Sequence, residues 1–206
     1  MKAHHPWALA VVLALPLLAS AAEPPTSPCT ASASASGSDI EIADLIANVA
    51  KRTGKQFIID PRVRAQVSSI GLDMNKVDYP KLLAILNIHQ FAAYESNGIV
   101  KVLPDASARQ LPIPVTNEVP AKALDDEYVT VMFQTKNMCS AQAVPILRPL
   151  MPQSAHLAAS PHSNMLVISD RAANARRIVD MAERLDKAAP GGQKCQAEPS
   201  LVKSDK

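Results

Sequence analysis

From Ile42 onward the apolar residues Ile42, Leu45, Ile46 and Val49 recur at the i, i+3, i+4, i+7 spacing of one helix face. Asp44 lies in the first turn of this segment and Lys51 and Arg52 in the last, where each sign suits the helix dipole. Gly54 accepts the left-handed conformation that closes many helices, so it is expected to stop this one. Phe57, Ile58 and Ile59 follow as a short apolar run, the pattern of a strand buried on both faces. Asp60-Pro61 then turns the chain, because a residue before proline is pushed out of the helical region. Val63, Val67 and Ile70 predict a return strand. Asp78 as cap and Pro80 near the first helical position open a second helix through Leu82, Leu83, Ile85, Leu86 and Ile88. Phe91 to Glu95 and Ile99 to Leu103, around Ser96-Asn97-Gly98, predict a hairpin.

The periodicity lapses over PDASARQLPIPVTNEVP, which contains four prolines and is expected as a semi-rigid linker, 105–123, between two domains. Tyr128, Val129, Val131 and Phe133 predict a strand, with Asn137 and Ser140 as capping candidates for a helix through Ala143, Val144, Ile146, Leu147 and Leu150. Pro145 removes a backbone donor past the first turn, so that helix is expected to bend or to start late. His156 to Ala159 and Met165 to Ser169 predict two strands around Pro161 to Asn164. Asp170 is the expected cap of a last helix with Ala172, Ala175, Ile178, Val179, Ala182 and Leu185 on its buried stripe. Its solvated side offers Arg176 with Asp180, Asp180 with Arg184, and Glu183 with Lys187 as i, i+4 pairs. The fold class is therefore α+β: two small tandem α/β domains at 39–104 and 124–188, the second in the order strand, helix, strand, strand, helix.

The ends of the chain differ in kind. Residues 1–22 have Lys2, a 13-residue apolar run from Trp7 to Ala19 and then small residues, the build of a cleavable secretory signal peptide. Roughly 20 apolar residues are needed to cross a bilayer as a helix, so no membrane insertion is expected and the periplasm is the expected location. Residues 23–38 are rich in Pro, Ser and Ala and are expected as a flexible leader; 189–206 are expected as a disordered tail. Of three cysteines, Cys29 and Cys195 fall in these ends. Cys139 is expected as a small buried hydrophobe, the alternatives being a bridge between the two tails or between molecules.

Chemistry is sparse. No nucleophile elbow, His-Glu-x-x-His, Cys-x-x-Cys or phosphate-binding glycine loop occurs, and six glycines, two of them in the tail, leave no glycine-rich nucleotide site. His89, His156 and His162 lack metal-ligand spacing. No catalytic residue, metal ligand or cofactor is expected, and the chain is not expected to be an enzyme. A formal net charge of +2 in mixed signs implies no strong field. The element order of the second domain is that of a KH module, but PILRPLMPQSAH lacks the Gly-x-x-Gly clamp and 3% aromatic residues leave little to stack on bases. A nucleic-acid partner is accordingly not expected.

With these residues laid out, DLIANVAKRTGKQFIIDPRVRAQVS and HQFAAYESNGIVKVLPD resemble the membrane-distant N-terminal domain of the secretins, the outer-membrane channel subunits of type II protein secretion. AVPILRPLMPQSAHLAASPHSNMLVISDRAANARRIVDMAERLD, with its Pro145, resembles the family's repeated KH-like ring domain. The resemblance implies a secretin-like accessory or adaptor without the channel-forming domain, acting by association. Its implied partners are secretin subunits or itself, the inner-membrane connector protein, and exported cargo. Alternatives are a degenerate secretin fragment that sequesters or regulates a secretion component and, from another class, a nucleic-acid-binding KH-like module. Candidate contact residues are Ile40, Val67 and Ser69 on edges of the first sheet, with Leu157 and Val167 in the second. Two positions depart from the family's pattern. ASASASGSDI stands where an alternating first strand is usual, so that strand is expected to be weak or missing, and Gln90 stands where a glycine usually ends the second helix, so the cap must be remade or strained.

Overall fold

The first amphipathic segment folds into helix α1, Ile42–Thr53, in a computed structural model that describes residues 38–190 and Cys195. The expected signal peptide, leader and disordered tail therefore lie outside the described residues, save for Ser38, Ala189, Pro190 and Cys195. Gly54 closes α1 at φ 70° and returns its N–H to the Ala50 carbonyl. Asp78 caps α2, Tyr79–Ile88, by accepting the Lys81 N–H. A hairpin of β4, Phe91–Ser96, and β5, Ile99–Pro104, follows.

The first strand does form. β1, Ser38–Glu41, pairs antiparallel with β3, Gln66–Ser69, so that Ile40 stands opposite Val67. Small and polar residues hide the alternation, and the pairing partner supplies what the local pattern lacks. β2, Gln56–Ile59, joins β5 in parallel at the edge of a separate three-stranded sheet ordered β2-β5-β4. It is not buried on both faces: Phe57 and Ile59 pack on the core, whereas Ile58 is 56% exposed. The first core joins Ile42, Leu45, Ile46 and Val49 of α1 to Leu82, Leu83, Ile85 and Leu86 of α2 over Val100 and Val102. Each such side chain contributes about 1.5 to 3 kcal/mol when fully buried.

The proline-rich stretch carries structure of its own. Asp105–Gln110 form a 3-10 turn, and β6, Val115–Thr116, pairs in parallel with β7, Tyr128–Gln134. After β7 come α3, Ser140–Leu147; β8, His156–Ser160; β9, Met165–Arg171; and α4, Ala172–Ala188. The sheet runs β6-β7-β9-β8, and α3 and α4 cover one face through Ala143, Leu147, Ala172, Ala175, Ile178 and Ala182. This is the expected KH-like order. Pro145 neither delays nor displaces the start of α3; the helix ends early instead, tightening into a 3-10 turn at Arg148–Leu150.

Two caps are tertiary where the sequence suggested local ones. Asp170 does not cap α4: its carboxylate takes the Arg171 N–H and the Asn174 amide, while the first helical N–H groups of Ala172 and Ala173 donate to the Glu127 and Asp125 carbonyls. Neither Asn137 nor Ser140 caps α3. Asn164 accepts the Ser140 N–H and donates to the Thr135 and Met138 carbonyls from a left-handed turn position. Asp186, near the end of α4, accepts from the N–H groups of Lys136, Asn137 and Met138. Burial opposes its charge, but these three donors outweigh it and hold the carboxyl below the usual carboxylate range. Cys139 is buried, as expected of a small hydrophobe, yet it is also bonded to Cys195 and not held in a tail-to-tail or intermolecular bridge. That link spans 56 residues of chain and stabilises the fold by roughly 4 kcal/mol through restriction of the unfolded chain.

Gln90 ends α2 at φ 60° with its N–H donated to the Asn87 carbonyl, which is the strained cap anticipated for a residue other than glycine. Gln90→Gly should therefore stabilise the protein by about 0.5 to 1 kcal/mol in chemical denaturation, and a loss of stability would contradict the assignment of strain.

Candidate interaction surfaces and the junction behind them

β1 and β3 form a two-stranded sheet, so among the described residues each has one unpaired edge. Ile40 is half-buried on β1. Val67 belongs to the core, and the Ser69 hydroxyl donates to the Leu72 carbonyl. β8 is the outer strand of the second sheet, but the Leu157 side chain points into the second core. Val167 lies on β9, between β7 and β8, so its backbone groups are in ladders on both sides and only its half-buried side chain is presented. The five residues thus sit on two separate sheets. What β1, β3 and β8 offer a partner is main-chain edge more than side chain.

Sequence reasoning missed the polar cluster that joins the halves. Asp105 follows β5 at once and is buried, its N–H donated to the Gln90 carbonyl. Arg171, at the end of β9 and equally buried, donates through both terminal nitrogens to the two oxygens of Asp105, at 3.0 and 3.3 Å. It also donates to the Phe91 carbonyl of β4, and its guanidinium lies 4.9 Å from the centre of the Tyr128 ring. Tyr128 donates its hydroxyl to Asp105 at 2.5 Å. Tyr128 and Arg171 are cross-strand partners on β7 and β9, so the second sheet itself aims both groups at the first half. Around them Ala92, Ala108 and Tyr128 form a small apolar cluster with Leu111 and Ile113. Farther out Asn87 on α2 donates to Asp126, and Leu124 packs on the first core while Val119 and Ala123 pack on the second. Charge type alone could not reveal this site, since Asp105 and Arg171 are 66 residues apart in sequence.

The electrostatics suit a structural joint. Burial, and then the bond to Asp105, push the Tyr128 hydroxyl well above its ordinary value, which keeps it a neutral donor. Burial also raises Tyr79, to about 12, with Glu127 and Glu95 adding to the effect. Burial raises Asp170 despite its hydrogen bonds. On the surface the Arg62 guanidinium holds Asp60 at about 2, which fixes the Asp-Pro corner after β2. Among the described residues no group of three or more His, Cys, Asp or Glu is placed to hold a metal ion, and no helix is long and apolar enough to cross a membrane.

Comparison with known proteins bears on both halves. The family described as GspD-like, N0 domain, matches residues 36–102. The chain is 33% identical over 151 residues to secretin XcpQ of Pseudomonas aeruginosa, covering 72% of this chain and 22% of that protein. It is 32% identical over 163 residues to secretin PulD of Klebsiella pneumoniae, covering 76% and 24% respectively. This chain is a type II secretin relative. It spans about a quarter of the length of those secretins and matches their N-terminal region. A chain of the Klebsiella pneumoniae type II secretion system outer membrane complex of PulD, PulS and the PulC HR domain superposes at TM-score 0.64 with 29% identity, over 75% of this chain and 27% of that one. The secretin-related fold therefore holds through both halves.

Two variants test the junction. Arg171→Met leaves Asp105 buried without its cation and should cost about 3 to 5 kcal/mol, and Asp105→Leu added to it should recover most of that loss; an unchanged denaturation midpoint for the single variant would contradict the account. Tyr128 and Tyr79 bind their protons more tightly in the folded state than in the unfolded one. Their contribution to stability should thus be present in full below about pH 10 and be lost as pH rises past the unfolded tyrosine value and on through the folded ones. Tyr128→Phe should flatten part of that alkaline slope, and an equal slope in the variant would contradict the assignment.

Proposed function

We propose that this secretin relative is a periplasmic accessory or adaptor of type II protein secretion that works by protein association. The observation that carries the reading is the similarity to secretin N-terminal regions across both halves, joined to sheets whose outer strands are open among the described residues. Two domains, 39–104 and 124–188, would divide the work. The first would meet the inner-membrane connector or exported cargo through the β1 and β3 edges, where Ile40, Val67 and Ser69 lie. The second would dock onto secretin subunits, or onto another copy, through the β8 side near Leu157 and Val167. Strand-edge pairing and apolar contact supply the driving force, since the mixed surface charge is too balanced to do so.

Immobilised protein should retain secretin or connector from detergent-solubilised envelopes of a type II-secreting strain, and Ile40→Asp, at the half-buried β1 position that packs against the first core, should reduce connector capture several-fold by loosening the β1 edge. Retention of neither component by the unaltered chain would contradict the proposal.

A further inference from the structure

β6 pairs with β7 only at Val115 to Thr130 and Thr116 to Val131. Beyond Thr116 the chain leaves the sheet, so the β7 edge at Met132, Phe133 and Gln134 has no neighbour among the described residues on that side. A groove of about 710 Å³ lies there, lined by these three consecutive residues, by Asn117, Glu118 and Val119 at one end, and by α4. The α4 wall consists of Arg176, Val179, Asp180 and Glu183, one face of the helix at i, i+3, i+4 and i+7. Val119, Met132, Phe133 and Val179, all half-buried, make its floor apolar.

The rim is acidic where it is free to act. Glu118, Asp180 and Glu183 line it, and the single cation, Arg176, is committed to Asp125 at 2.7 Å and to the Ala123 carbonyl at 2.6 Å. Arg184 and Lys187 pair with Asp180 and Glu183, but about three-quarters of each cation's side-chain surface is exposed, and surface pairs of this kind exchange partners at little cost.

We propose that this groove is a strand-addition site for an extended protein segment in which apolar residues alternate with basic ones. Such a segment takes up the pairing that β6 leaves unfinished, sets its apolar side chains against Val119, Phe133 and Val179, and brings its cations to Glu118, Asp180 and Glu183. It lies away from β1, β3 and β8, and its chemistry does not depend on which secretion component those edges meet.

The test uses the isotope-labelled chain and two blocked nonapeptides, one alternating Val with Lys and the other alternating Val with Glu. The lysine peptide should shift the amide resonances of Val119, Met132, Phe133, Gln134 and Val179 and bind at least about tenfold more tightly than the glutamate peptide. Glu118→Lys with Glu183→Lys, both on the surface, should reverse that preference without changing the melting temperature. Shifts confined to another edge such as β2 or β8, equal affinity for the two peptides, no binding, or an unreversed preference in the folded double variant would each overturn the site.

Discussion

The buried pair of Asp105 and Arg171, with Tyr128 beside it, is the contact on which the rest of the molecule depends. A guanidinium and a carboxylate withdrawn from water cost several kcal/mol each unless their hydrogen bonds are met. Here the carboxylate receives both terminal nitrogens of the arginine and a tyrosine hydroxyl, and the arginine has a backbone carbonyl and an aromatic face as well. Such a site adds less to net stability than to uniqueness of arrangement. Any other orientation of the two cores would strand a charge.

That constraint changes what the proline-rich stretch does. A linker of this composition is semi-rigid in isolation, yet Asp105, Ala108, Leu111 and Ile113 are drawn into the junction, and Leu124 and Ala123 pack on opposite cores. The segment behaves as mortar between the halves. For a protein that works by association the consequence is geometric, because the β1, β3 and β8 edges are then presented at fixed separations and angles. A partner that meets two of them gains from that preorganisation.

Local physics made much of the fold legible. The spacing of Ile42, Leu45, Ile46 and Val49, the cap at Asp78 and the Ser96-Asn97-Gly98 turn each encode their element within a few residues. Gln90 was readable as a strained cap because a missing glycine is a local fact. What escaped depends on contacts distant in sequence. β1 exists because β3 lies opposite it, α3 is capped by Asn164 while Asp186 holds the loop before it, Cys139 meets Cys195, and Ile58 is exposed on β2 at the edge of its sheet. The candidate contact residues were legible only as strands; which side chain faced inward, as for Val67 and Leu157, required the packed structure.

Rigid coupling of the halves is measured most directly by backbone residual dipolar couplings on the full chain in a dilute aligning medium. A single alignment tensor should fit couplings from α1, α2, β4 and β5 together with those from β7, β9, α3 and α4. Separate tensors of differing magnitude for the two groups would show that the Asp105 and Arg171 joint does not hold them as one body.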